Sequence, residues 1–167
     1  MRSLLLTLSI SIPFISFAQE NKLEQYNENG LSFNYPAEWI KEKQKNGDLF
    51  FYPLYDFSAD KPFSVAISKI KEIQTEETST TAYLTLTLTS LKRFQHAKVV
   101  KNEAKKINDI NAFIYEYEIK KDETHDYGKM IILRKGSTAY QITMRGTFRS
   151  YMDYQMFAES IIQSFKF

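Results

Sequence analysis

At 167 residues, and with domains averaging about 150 residues, the chain holds one domain and a short appendage rather than two full domains. Its 43% hydrophobic and 25% charged residues are a globular composition, unlike that of a disordered chain, and the absence of cysteine excludes disulfides and thiolate chemistry. Lys plus Arg (22) against Asp plus Glu (20) leaves +2, too small a balance for the clustered basic field of a nucleic-acid surface.

Met1-Arg2-Ser3 carries one positive charge, and Leu4 to Phe17 is an apolar and hydroxyl run broken only by Pro13. Such a run is short of the roughly 20 apolar residues of a membrane-spanning helix and suits the h-region of an export signal. Ser16 and Ala18 place small side chains where the peptidase needs them, so cleavage before Gln19 is expected. Residues 1–18 are then a signal peptide and 19–167 a single domain. No Cys follows for lipid attachment, and no later segment is apolar enough to hold the chain in a bilayer. The expected product is periplasmic or secreted, with no stable membrane insertion after cleavage.

Glu20 to Asn27 reads as a frayed start or a short strand, and Asn29-Gly30 as a type I′ hairpin signal before the alternating Leu31, Phe33 and Tyr35. Pro36 stops that strand. Asn46-Gly47 separates Ile40 to Lys45 from Leu49 to Tyr52, a second hairpin whose far arm ends at Pro53. Residues 54–62 are expected as a loop. Phe63, Val65 and Ile67 then alternate with the smaller Ser64, Ala66 and Ser68. From Thr78 to Phe94, Leu84 to Thr89 alternates like a strand, yet at 100° per residue Tyr83, Leu84, Leu88, Leu91 and Phe94 share one arc. A helix is expected there, opened by acidic and hydroxyl residues at 76–79. Ala97 to Lys106 reads as a polar strand, Asn108 to Asn111 as a turn, and Phe113 to Ile119 as an alternating strand. Asp122 to Gly128 reads as a polar loop, and strands 129–134 and 139–147 flank a turn at Lys135-Gly136-Ser137. Tyr151, Tyr154, Ala158, Ile161, Ile162 and Phe165 recur at helical spacing. The fold class is α+β, with about six to eight antiparallel strands in a central sheet. Because Ile131 and Leu133 oppose Met130 and Ile132, both faces need cover, and one helix on each is expected, an α/β/α sandwich.

The run Gly30-Leu31-Ser32-Phe33-Asn34-Tyr35-Pro36-Ala37-Glu38-Trp39, an aromatic strand entering Tyr-Pro, two variable residues and Trp, resembles the opening motif of the PsbP-like superfamily. Tyr140-Gln141-Ile142-Thr143, then Phe157, Ile161, Ile162 and Ser164-Phe165, resemble its closing strand and helix. The resemblance extends over nearly all of residues 26–167. It implies a central antiparallel sheet between helices and supports a helix at 78–94. The superfamily's photosystem subunit, Ran-binding import factor and DcrB-like periplasmic proteins act mostly by binding and share no catalytic set. The resemblance therefore implies a binding role and carries over no functional residue.

Without Cys, nucleophilic catalysis would rest on a Ser with His96 or His125, and neither histidine stands in a signature. His96 reads as a helix-end residue. Asp122, Glu123, His125 and Asp126 are candidate metal ligands, against the reading of a solvated hairpin loop. Their spacing is not that of an EF-hand, since Gly128 falls one position late and Leu133 stands where the bidentate Glu belongs. Glu116 and Glu118 share a strand face about 7 Å apart and read as its wetter side rather than as an acid–base pair. The five glycines occur singly, which excludes a Gly-rich phosphate loop. Arg134, Arg145 and Arg149 are a candidate anion-binding rim, which ordinary solvated strand ends explain as well.

The candidate partner-binding residues are Phe50, Tyr52, Tyr55 and Phe57, which crowd with Phe51 beside a loop; core packing competes for them. The expected protein is a non-enzymatic binding or adaptor protein of the cell envelope, acting through protein–protein contacts with another envelope or secreted protein and using no cofactor. One alternative is a carrier of a small apolar ligand, which calls for a closed aromatic cavity of at least about 300 Å³. The other is a hydrolase or metal-binding protein using the Asp122–Asp126 loop.

Overall fold

The structure, a computed structural model, describes residues 22–54, 56, 62–70, 97–121 and 123–167. The expected signal peptide, the expected helix over 78–94, His96, Tyr55, Phe57 and Asp122 lie outside the described residues.

The first two hairpins follow from their Asn-Gly turns. β1 (Leu23–Glu28) pairs antiparallel with β2 (Leu31–Pro36), Glu28 facing Leu31 across Asn29-Gly30. Both turn residues hold positive φ, 52° at Asn29 and 78° at Gly30, the conformation a type I′ turn requires and that Asn and Gly tolerate best. The polar stretch Leu23–Glu28 is thus a full strand, anchored by one inward residue, Tyr26. β3 (Trp39–Lys43) pairs with β4 (Leu49–Pro53), starting one residue before the expected Ile40 because Trp39 already packs inward.

The main sheet has seven antiparallel strands in the order β3-β4-β5-β9-β8-β7-β6. β5 is Ser64–Ile70, β6 Ala97–Ile107, β7 Ile110–Lys121, β8 Thr124–Lys135 and β9 Thr138–Thr147. Consecutive strands β6 to β9 form a meander, and β5 pairs with β9 from Ser64↔Arg145 to Ile70↔Ala139.

The expected loop at Asp122–Gly128 is corrected here. β8 begins at Thr124, which faces Lys121 of β7 in register. His125, Asp126, Tyr127 and Gly128 are therefore ladder residues. Their polarity does not prevent it, because each finds a partner in a neighbouring element.

Among the described residues there is one helix, α1 (Phe148–Ser164). Thr147 caps its start by accepting from the Ser150 N–H at 3.2 Å, and the Asn108 side-chain amide donates to the Gln163 and Phe165 carbonyls at its end. One face of the sheet is covered by α1 beside the β1–β2 hairpin. Phe33 sits between them, stacked on Phe165 at 5.5 Å and 9°, and edge-on to Phe51 of the sheet. Residues 165–167 return to the hairpin: Ser32 and Lys166 exchange both backbone hydrogen bonds, at 2.9 and 2.8 Å. Most of the aromatic excess is in this layer, including Tyr26, Tyr35, Trp39, Phe63 and Tyr151.

The opposite face is divided. Over β7 and β8 it is buried, with Tyr115, Tyr117, Ile119 and Met130 in one cluster and Ile132 with Ala139 in another. Both faces of the sheet are thus dry at β8, as the apolar residues on both sides of that strand require. Over β4, β5 and β9 it is half-exposed: Ser64, Ala66, Ser68, Gln141 and Thr143 present short or polar side chains.

Candidate functional site

Alternation along β4 decides the fate of its aromatics. Leu49, Phe51 and Pro53 point to the helix-covered face, where Phe51 is fully buried. Phe50 and Tyr52 point to the other face, remain half-buried, and stack on each other at 6.2 Å and 10°. Tyr52 faces Ile40 of β3 in register, and Ile40 is 44% exposed. Phe50 faces Ala66, which in turn faces Thr143. The result is an apolar ridge of Ile40, Tyr52 and Phe50 at the margin of a shelf of small residues. Two of the four expected partner-binding residues, Phe50 and Tyr52, are thereby brought together.

Burial, with a smaller contribution from the Glu42 carboxylate, raises the pKa of the Tyr52 phenol above its ordinary value, so it is neutral at physiological pH. Its hydroxyl has no hydrogen-bond partner among the described residues. A flat ring with an apolar body and a polar tip is the type of side chain that protein interfaces enrich.

The other candidates separate. Asp126 is 3% exposed and accepts from Arg145 at 2.8 Å on the face away from α1. His125, one residue earlier, points to the α1 face, stacks on Phe148 at 5.1 Å and 5°, and lies 3.3 Å from Glu118. The two are on opposite sides of β8, and Glu123 is exposed at the turn, so the described members of the expected metal set do not converge. No group of three or more potential ligands occurs among the described residues.

Glu116 and Glu118 are held by cations. Glu116 lies 3.6 Å from the Lys129 ammonium, which also pairs with Glu159 of α1. The Lys120 ammonium at 3.0 Å, helped by His125, keeps the Glu118 carboxyl below the usual carboxylate range. Glu118 thus lacks the raised pKa of a general acid. The expected arginine rim is not assembled. Arg134 and Arg145 face Ala139 and Gly128 respectively, which places them about 20 Å apart at strand rise. Arg134 donates to the Gly136 carbonyl, and Arg149 is exposed on α1.

Two of the concavities among the described residues flank the hairpins. One of about 140 Å³ lies between Pro36, Trp39, Pro53 and Tyr154, beside the Tyr35-Pro36 turn, and is too small for a carried ligand. The other, about 570 Å³, lies between the two Asn-Gly turns, with Leu31, Leu49 and Ile67 as floor and the Glu28–Lys43 ion pair on its rim. It is an open cleft with a charged rim, unlike the closed aromatic cavity that an apolar carrier calls for.

An antiparallel sheet carrying an aromatic hairpin and a closing helix on one face, with a Tyr-Pro-x-x-Trp turn at its margin, defines a PsbP-like α+β domain. The sequence profile described as PsbP matches residues 21–167. The chain belongs to the PsbP family. Among solved structures it is similar to cyanobacterial PsbP (CyanoP) from Synechocystis sp. PCC 6803, with a TM-score of 0.59, 20% identity and coverage of 93% of this chain and 96% of that one. It is also similar to LpqN of Mycobacterium tuberculosis, a protein involved in cell envelope biogenesis, with a TM-score of 0.64, 12% identity and coverage of 89% and 92%. A third is PA94 from Pseudomonas aeruginosa, a protein of unknown function and putative regulator, with a TM-score of 0.57, 13% identity and coverage of 84% and 94%. At these identities the likeness is one of fold. Among curated proteins none matches the chain. Among the described residues, no helix is long and apolar enough to cross a membrane.

Proposed function

We propose that the protein is an exported, non-catalytic binding or adaptor protein of the cell envelope, and that Ile40, Phe50 and Tyr52 form its contact face. The observation that carries the reading is the partition of β4: Phe51 is fully buried, while Phe50 and Tyr52 stack outward beside the exposed Ile40. A hydrophobic ridge next to small side chains offers what a protein partner needs, an apolar anchor and room for its own side chains. LpqN's involvement in cell envelope biogenesis supports the compartment. The partner is another envelope or secreted protein that presents an apolar segment to the ridge.

The test places a photo-crosslinking amino acid at position 40 and, as control, at the exposed position 149 on α1. Position 40 is expected to give a discrete protein adduct that position 149 does not, and Phe50→Ser/Tyr52→Ser is expected to abolish it with the fold intact by circular dichroism. Equal adducts at both positions, or an adduct insensitive to the double substitution, would remove this face from consideration.

A further inference from the structure

Lacking cysteine, the protein has only thioethers as sulfur, and the four described methionines divide into two pairs. Met130 and Met144 lie in the core, 3% and 0% exposed. Met152 and Met156 lie on the outer side of α1, 50% and 81% exposed. They are one helical turn apart, a rise of about 6 Å, and continue a stripe begun by Phe148, which is 45% exposed. A solvent-facing helix surface is ordinarily polar, and here three large apolar side chains recur at i, i+4 and i+8. The Gln155 side-chain amide donates to the Met152 Sδ at 3.6 Å.

We infer that Met152 and Met156 are a selective oxidation site for hydroperoxides. The Sδ lone pair attacks the terminal peroxide oxygen and an S–O bond forms as the O–O bond breaks. The departing oxygen takes up the peroxide proton and leaves as water, or as an alcohol from an alkyl hydroperoxide. The sulfur is oxidised by two electrons and the peroxide is reduced by two. Exposure sets the selectivity: the reagent reaches Met152 and Met156 directly, whereas Met130 and Met144 must wait for an opening of the core. The Gln155 amide remains within reach of the new sulfoxide oxygen, a stronger acceptor than the thioether. Since both side chains point outward, the modification makes the stripe polar without removing a core contact. It is of the kind that methionine sulfoxide reductases reverse.

The experiment treats the folded full chain with hydrogen peroxide and maps the products by peptide mass spectrometry. The peptides carrying Met152 and Met156 are expected to gain about 16 Da per sulfur, at least about tenfold faster than those carrying Met130 and Met144, with no change in the melting temperature. Met152→Leu/Met156→Leu is expected to melt like the parent and to lose this uptake, and a sulfoxide reductase is expected to restore the parent mass. Comparable rates at the core methionines, no uptake at positions 152 and 156, or unfolding in step with the first oxygen would each overturn the assignment.

Discussion

Replacing Gly128 by Ala sets two opposed effects against each other in one strand. Backbone preference alone favours the change, since Gly in a strand interior is worse than Ala by about 0.5–1 kcal/mol. The tertiary environment forbids it. A Cβ at position 128 would lie 2.5 Å from Cζ of Tyr117, 2.6 Å from its hydroxyl and 2.9 Å from Cε2, all well inside contact distance. The Tyr117 ring lies over the glycine, its register partner on β8, and is 1% exposed, so it has no solvent into which to swing. Overpacking of this kind costs about 1–3 kcal/mol. It outweighs the backbone gain and leaves a net loss of about 1–2 kcal/mol. For a domain of this size that is a fall in melting temperature of about 2–8 °C. Thermal and urea unfolding of Gly128→Ala measure it, and Gly128→Ala/Tyr117→Leu isolates the cause, because a smaller side chain at 117 should make the two changes less than additive. A Gly128→Ala protein as stable as the parent, or strict additivity in the cycle, would refute the reasoning.

Three further outcomes are expected. Asp126→Ala should lower stability by about 3 kcal/mol, since it leaves the Arg145 guanidinium without the carboxylate it meets at 2.8 Å; the half-exposed side of Arg145 keeps the loss at the low end of the range for buried pairs, and urea unfolding reads it. Thr147→Ala should cost about 1 kcal/mol through loss of the α1 cap, visible as an earlier thermal midpoint. In alkali, burial raises the phenols of Tyr26 and Tyr35 from 10.0 to about 12, the hydrogen bonds to Glu28 and Glu24 adding to it. The folded state thus favours the protonated phenols, so their contribution is fully present below about pH 10 and falls away as pH rises toward 12. Phenolate absorbance should titrate late in the folded protein, and a stability profile flat across that window would contradict these environments.

Local chemistry in the sequence was enough wherever the controlling partner was nearby. Asn29-Gly30 specifies its hairpin because both residues take up positive φ readily, and in the second hairpin Gly47 supplies the positive φ. The alternation of Ile131 and Leu133 with Met130 and Ile132 correctly demanded two dry faces. Tyr151 to Phe165 declared a helix by its period, and the structure adds three residues before it because the Thr147–Ser150 cap sets the start. The stretch His125 to Gly128 misled because its partners are distant in sequence. Asp126 is accommodated inside with Arg145 of β9 against it, and His125 is held beside Phe148 and Glu118. Gly128, which marks a turn by composition, is a sheet glycine whose missing side chain makes room for Tyr117. The aromatics of β4 were recognisable as surplus, but which of them faced outward depended on the register with β3 and β5. The arginines gave no sign of their separation, since strand position and not residue type places them.

The return of residues 165–167 to β2 has a consequence for the order of folding. Phe33, in the first hairpin, gets its stacked partner from Phe165, and Ser32 gets its backbone partners from Lys166. A chain emerging from the ribosome therefore carries a β1–β2 hairpin with an open flank until residues 165–167 are made. Contacts of such sequence separation are late and slow to form. Nascent chains stopped before Phe165 should stay open and sensitive to protease.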